Sequence, residues 1–364
     1  MPQALSSLDP RLAARAGQWF LQSGIQEPHG GVARFHHSDV GRNARTSTEI
    51  TGYAVSSLVF LHERVGDPAL LEAAVRGGRF LVDTAWSPSL KTFPYEYAGD
   101  GDAPQPLTYF FDCGIIVRGL LQLTRATGDN SYAEVAQLAG ESMIRDFATG
   151  DTWHPILNLP GKYPLQWTDQ WSRRPGCYQL KSALAWHELH QVTGDARFER
   201  AYQAALTKAL ATEAEFLPAD TPEKTMDRLH AYSYFLEAMF PAVDRPAVRN
   251  AIAAGIHKVS AYLREIRPVF ERSDVNAQLL RVRLLATQNA GLPLNEEEAA
   301  EEAHAIEQFQ IENPRSPHHG GFWFGRRNGE MTPFTNPVST AFCSQAHAWW
   351  QDHLSGRAIV QAVI

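Results

Sequence analysis

The sequence predicts an all-α protein made of helical hairpins, on three observations. A unit of one almost wholly apolar helix, a Gly-Asp turn and one amphipathic helix occurs at Gly66-Asp67, Gly128-Asp129 and Gly194-Asp195, with a period of about 63 residues. Runs with strand-like alternation are few, near Val32 to Phe35 and Gly321 to Phe324. The connections leading into the apolar helices are far longer than the turns leaving them. With 364 residues, 44% of them hydrophobic, the chain can bury one large core, and 1–364 is read as a single domain.

The first complete unit shows the pattern. Over 49–65, Ile50, Tyr53, Ala54, Leu58 and Leu61 form one stripe, and Val55, Val59 and Phe60 make the opposite side apolar too, so this helix is expected to be buried nearly all round. Over 69–85, Leu70, Leu71, Ala74, Val75, Leu81 and Val82 face inward, while Glu72, Arg76, Arg79 and Asp83 make a solvated face. Gly supplies the left-handed position that ends one helix, and Asp or its neighbour starts the next. Units 114–144 and 178–210 repeat this order.

Extended along the chain, the pattern predicts helices near 11–22, 49–65, 69–85, 112–127, 130–148, 176–193, 196–212, 226–242, 245–264, 272–289, 296–312 and 336–352. These alternate outer and inner. Connections at 23–48, 86–111, 149–175, 213–225, 265–271 and 313–335 all lead into inner helices and therefore share one end of the assembly. Long loops in a compact domain are usually functional.

Bulk properties narrow the function. With 33 basic against 40 acidic side chains and a net charge of -7, no overall positive field exists to hold a nucleic-acid backbone. The start MPQALSSLDPRLAARAG lacks the charged-then-apolar pattern of a signal peptide, and no apolar run has bilayer length, so no membrane partner and a cytoplasmic location are expected. Cys113, Cys177 and Cys343 are odd in number with no CxxC spacing, which argues for a reducing compartment.

Six hairpins with six buried inner helices and recurring GD turns resemble the (α/α)6 barrel of six-hairpin glycosidases, uronate-directed hydrolases and lyases, and sugar epimerases. The resemblance spans the chain and lies in pattern, with no signature specific to one activity. It implies a saccharide substrate bound over the N-termini of the inner helices, at the end bearing the long loops. A looser resemblance to terpenoid-cyclase-like toroids lacks their DxDD motif.

The long loops suit that role. They carry Trp86, Trp153, Trp167, Trp171 and Trp323 with Phe93, Tyr95, Tyr97, Tyr109, Tyr163 and Phe322, aromatic faces that match the C–H faces and hydroxyls of sugars. Arg34, Arg42, Arg45, Arg173, Arg174, Arg326 and Arg327 supply forks for carboxylate or sulfate groups. The same side chains also serve to pack loops and to make surface ion pairs.

Glycosidic cleavage needs one protonated and one ionised carboxyl group. Candidates near inner-helix starts are Glu49, Asp112, Asp227 and Asp274, with Asp169 in the loop before the third inner helix. Each competes with a structural role: Thr46-x-x-Glu49 matches a capping box, and Asp112 and Ser273-Asp274 are ordinary helix starts. Asp227, His230, Tyr234 and Glu237 form a polar stripe on an otherwise apolar helix, and Asp274 with Gln278 repeat it one inner helix later. Arg45, Glu49 and Tyr53 lie one turn apart.

The expected catalytic set is Glu49, Asp112, Asp169 and Asp227. The expected substrate-binding set is Arg45, Tyr53, Trp153, Trp167, Trp171, Arg173, His230, Tyr234, Asp274, Gln278, His319, Trp323 and Arg326. A glycoside hydrolase on an oligo- or polysaccharide, neutral or acidic, leads, with no cofactor and no metal. A uronate lyase or epimerase would instead use His or Tyr as base, drawing on His36-His37 or His318-His319, and a non-catalytic saccharide binder is the third reading. Zinc held by the three cysteines and a loop His is disfavoured because no Cys-His pair is adjacent.

Overall fold

The computed structural model describes residues 9, 11–100, 106–360 and 362–364; the first residues, on which the location expectation rests, lie mostly outside them. The described chain is predominantly helical, with α1 Leu12–Gln22, α2 Thr48–Val65, α3 Pro68–Arg79, α4 Phe110–Thr127, α5 Ser131–Asp146, α6 Leu180–Thr193, α7 Ala196–Thr212, α8 Pro222–Glu237, α9 Pro246–Ile266, α10 Ser273–Ala290, α11 Glu296–Gln308 and α12 Pro337–Leu354. Each expected helix is present. Its ends move where local geometry changes: α3 widens into a π-type turn over Phe80–Ala85, and α6 is entered through a 3-10 turn, Cys177–Gln179.

The Gly-Asp turns work as their chemistry requires. Gly66, Gly128 and Gly194 close their helices at φ values of 79°, 74° and 71°, where a side chain would strain the backbone. Asp67 and Asp195 then accept from the N–H of Ala69 and Arg197 at 2.9 and 2.8 Å, capping α3 and α7.

Even-numbered helices pack on one another in sequence, α2 on α4, then α6, α8, α10 and α12, and α12 returns to α2. Odd-numbered helices cover them: α3 on α2, α5 on α4, α7 on α6, α9 on α8, α11 on α10, and α1 across α12 and α2. Burial follows the sequence pattern. Every residue of α10 from Ser273 to Ala286 is buried, whereas α7 buries Phe198, Ala201, Tyr202, Ala205, Leu206 and Ala209 at helical spacing.

Small residues let the inner helices approach closely. A Cβ on Gly114 of α4 would meet the Ser182 carbonyl oxygen of α6 at 2.5 Å, a backbone atom with no room to give. Gly114→Ala is therefore expected to destabilise the fold by about 1–3 kcal/mol, read as a lower urea midpoint at unchanged slope.

Short ribbons tie the long loops together where the inner helices begin. Leu107–Tyr109, ahead of α4, pairs antiparallel with Ile156–Asn158, and Val32–Ala33 pairs with Thr46–Ser47, ahead of α2. His36–His37 lies between Arg42–Asn43 and Phe334–Thr335, and Gly325–Arg327 between Phe270–Arg272 and Glu330–Met331. The strand expected at Gly321 to Phe324 is thus displaced to Gly325–Arg327, because Phe322 and Trp323 form only isolated bridges. Among the described residues no helix is long and apolar enough to cross a membrane.

Candidate active site

Two carboxylates from neighbouring inner helices meet at the loop-bearing end. Glu49 lies in the first turn of α2, and the cap there is Ser47, whose Oγ accepts from Ile50 N–H. The capping box expected from Thr46 and Glu49 is not formed, which leaves the Glu49 carboxyl free of the backbone. Asp112 is the third residue of α4, whose cap position is Tyr109, so it is not the N-cap of its own helix.

Burial raises the carboxyls of both. Glu49 is pushed up to about 7, against the opposing charge of Arg34. Asp112, only 6% exposed, is held well above the usual carboxylate range by burial and then by the charge of Glu49, again with Arg34 opposing. Both carboxyls therefore ionise less readily than free ones, and Asp112 does so partly because of the charge on Glu49.

The flanking wall is aromatic and cationic. The rings of Tyr95 and Tyr109 lie 5.1 Å apart, and the Arg34 guanidinium sits 5.1 Å over Tyr95. Buried Glu96 holds both Arg34, at 2.7 Å, and Arg45, at 3.0 Å. The Tyr109 hydroxyl is pushed up to about 12 by burial and by Asp112, and Arg173 opposes this from the next loop.

Beneath the pair, Tyr53 of α2, Tyr234 of α8 and Phe342 of α12 form an aromatic floor. Tyr53 stands edge-on to Phe342 at 5.4 Å, and Tyr234 packs on Phe111 at 4.9 Å. Both tyrosine hydroxyls are held well above their ordinary range by burial, and both feel Glu49. They act on each other across the floor without strict hydrogen-bond geometry.

The polar stripe of α8 meets that of α10. His230 Nδ1 lies 2.8 Å from Gln278 Oε1, and the amide is oriented because its nitrogen donates to the His230 carbonyl at 3.3 Å. That network assigns the Nδ1–H tautomer and leaves Nε2 as an acceptor. Burial pushes the imidazole down to about 4 despite Asp274 at 3.4 Å, so it is neutral at pH 7. Arg272 grips Asp274 through two nitrogens at 2.9 and 2.6 Å, and reaches Asp227 at 2.9 Å on the half-exposed rim.

Below the floor lies a fully buried ion cluster. Glu237 of α8 accepts from Lys181 of α6 at 2.8 Å and from Arg281 of α10, and Arg281 also reaches Gln345 of α12 at 2.9 Å while lying 4.0 Å over Phe342. Lys181, Arg281, Gln345, Phe342, Glu96 and Arg272 were not expected in the site. The signal for Arg281 was present, since Asp274, Gln278 and Arg281 continue one helical stripe.

The structure brings Glu49, Asp112, Tyr53, Tyr234, His230, Asp274 and Gln278 together, with Asp227 at the rim. Asp169 lies exposed in its loop. Trp153 packs on Phe110 and Trp186, Trp167 is exposed with its indole N–H donated to His154 at 3.0 Å, and Trp171 stands edge-on to Tyr178. His319 Nδ1 meets the Ile311 carbonyl at 3.0 Å, Arg326 pairs with buried Glu271, and the Trp323 carbonyl accepts from Ser273. Arg173 is exposed beside Tyr109. The three cysteines are buried and unpaired, and among the described residues no three His, Cys, Asp or Glu converge in metal-binding geometry.

No protein-family model and no curated protein sequence matches the chain. Solved structures do. The cellobiose 2-epimerase of Spirochaeta thermophila aligns with a TM-score of 0.72 at 14% identity, over 96% of this chain and 100% of that one. A D-mannose isomerase aligns with a TM-score of 0.68 at 10% identity, over 98% and 100%. The unsaturated glucuronyl hydrolase of a Bacillus species aligns with a TM-score of 0.66 at 12% identity, over 95% and 98%. At such identities the likeness is one of fold, and this chain shares the fold of these three proteins.

Proposed function

We propose that the chain is a carbohydrate-active enzyme, a glycoside hydrolase in which Glu49 and Asp112 form the catalytic pair of a single (α/α)6 barrel. The observation that carries this reading is the pairing itself: two carboxyls from adjacent inner helices, both raised by burial, with Asp112 raised further by the charge of Glu49. Hydrolysis of a glycosidic bond asks for a protonated carboxyl to hand its proton to the leaving oxygen and an ionised one to activate water or attack the anomeric carbon. Tyr95 and Tyr109 offer stacking faces, and Arg34, Arg45 and Arg173 give the wall a preference for acidic sugars. Asp227 and Asp274 hold the rim through Arg272. Three buried free thiols are in keeping with a cytoplasmic setting.

Incubation with a panel of neutral and acidic oligosaccharides tests the reading by product. New reducing ends, absent when Glu49 and Asp112 are both replaced by amides, are expected. A second reading, epimerase or lyase chemistry with His230 or Tyr234 as base, is favoured by the neutral imidazole with its free Nε2 beside Tyr234. An epimeric product or an unsaturated uronide absorbing in the near ultraviolet would select it. Tight binding without turnover would leave a saccharide-binding protein.

Arg34 gives a further check, because it is the cation felt by both carboxyls. Arg34→Gln removes a charge that favours their ionisation, so the high-pH limb of the kcat/KM profile is expected to move to higher pH.

A further inference from the structure

Beyond α12 the chain turns back into the barrel from the end opposite the mouth. Gly356 takes a φ of 65°, Arg357 is pinned to Asp352 at 2.8 Å, and the stretch that follows leads to Ile364, which is 2% exposed. Side chains from inner helices hold this tail. Gln288 of α10 donates to the Ile359 carbonyl at 2.9 Å and accepts from the Ile359 N–H at 2.7 Å. Gln345 of α12 donates to the Ala362 carbonyl and accepts from the Ile364 N–H, both at 3.0 Å. Arg118 of α4 donates to the Val363 carbonyl at 2.6 Å, and Lys181 of α6 to the Ile364 carbonyl at 2.7 Å.

These bonds all go to the backbone of the tail, and its two ends differ in exposure. Gln288 is exposed, in the last turn of α10. A cleft of about 260 Å³ runs beside the tail, with Val360 and Ala362 on one side and Val59, Glu63, Gln122 and Arg125 on the other. At the inner end Lys181 and Ile364 are buried. A segment whose outer hydrogen bonds are open to water, and whose inner end is held by a few polar contacts, is built to open locally rather than with the whole fold.

The inner end also touches the support of the cavity floor. Lys181 divides its donors between the Ile364 carbonyl and Glu237, the latter at 2.8 Å. Glu237 in turn holds Arg281, which lies 4.0 Å over Phe342 of the floor. A chain of polar contacts thus runs from the tail to the ring beneath the Glu49 and Asp112 mouth.

We propose that the tail from Ile359 to Ile364 is a latch that opens locally, beginning at Gln288, and that in its closed state it shields Lys181 and steadies the cavity floor. The latch is independent of the glycoside-hydrolase reading, and only its effect on turnover rests on that reading.

Amine labelling of the full chain with trinitrobenzenesulfonate tests it, with Lys181 followed by peptide mass and exposed Lys224 as the reference. Wild type is expected to label Lys181 slowly, at a rate that about 1 M urea leaves unchanged, because local opening exposes little surface. Gln288→Ala removes both bonds to Ile359 from an exposed position, and Ile364→Ala removes the buried anchor. Each is expected to speed Lys181 labelling about tenfold or more, with Lys224 labelling unchanged and melting still cooperative. A wild-type rate that climbs steeply with urea, as global unfolding requires, or a rate that neither variant changes, would overturn the latch. Turnover on the oligosaccharide panel is expected to fall in the variants as labelling rises, and unchanged turnover with faster labelling would overturn the link to the floor. Absence of turnover in wild type, with labelling as expected, would overturn the hydrolase reading alone.

Discussion

Glu49→Gln and Asp112→Asn are each expected to lower turnover by about 10²- to 10⁴-fold, the size of one general acid or base contribution. The losses should not add, because the charge of Glu49 helps to set the ionisation of Asp112. Wild-type activity should fall as pH rises through about 7, where Glu49 gives up its proton.

Stability should fall with rising pH as well, over a lower window. The folded Glu49 carboxyl is raised above its unfolded value, so the folded state binds more protons between about pH 4.5 and 7 and loses stability across that window as pH rises. Glu49→Gln removes that loss. The variant is therefore expected to melt at a higher temperature than wild type at pH 8 while being inactive, and a lower melting temperature would show that Glu49 is held for structure.

The second large effect lies under the cavity floor. Glu237→Ala leaves Lys181 and Arg281 buried without their anion, and removal of one partner from a buried ion pair costs about 3–5 kcal/mol. Urea denaturation is expected to show that loss, and Glu237→Gln to recover part of it by keeping an acceptor for both cations. Burial also pushes Lys181 down to about 7. Its folded value lies below its unfolded one, so the unfolded state binds more protons above pH 7, and Lys181 makes stability rise with pH between about 7 and 10.5. Lys181→Met should flatten the pH dependence in that window; an unchanged slope would show that the lysine stays fully charged.

These two sites differ in how far they could be read in advance. The stripe Asp227, His230, Tyr234 and Glu237 was visible because polar residues at helical spacing stand out on an apolar helix. Its partners were harder. Lys181 and Gln345 are single polar residues in apolar surroundings, and nothing local says that both approach the same few ångströms around Glu237 and Arg281.

Periodicity alone determined the helices, their alternation between all-round apolar and one-sided, and the end of the molecule that carries the long loops. Those features depend on spacing within one segment, which is a local property of the chain. Tertiary structure decided which carboxylates come near each other. Glu49 and Asp112 are joined through the packing of α2 on α4, Asp169 is left exposed in its loop, and Trp153 faces an outer groove because its strand Thr152–Trp153 runs beside α5 and α7. The upward shift of Asp112 comes from burial by neighbours distant in sequence, and desolvation exists only once those neighbours have closed around it.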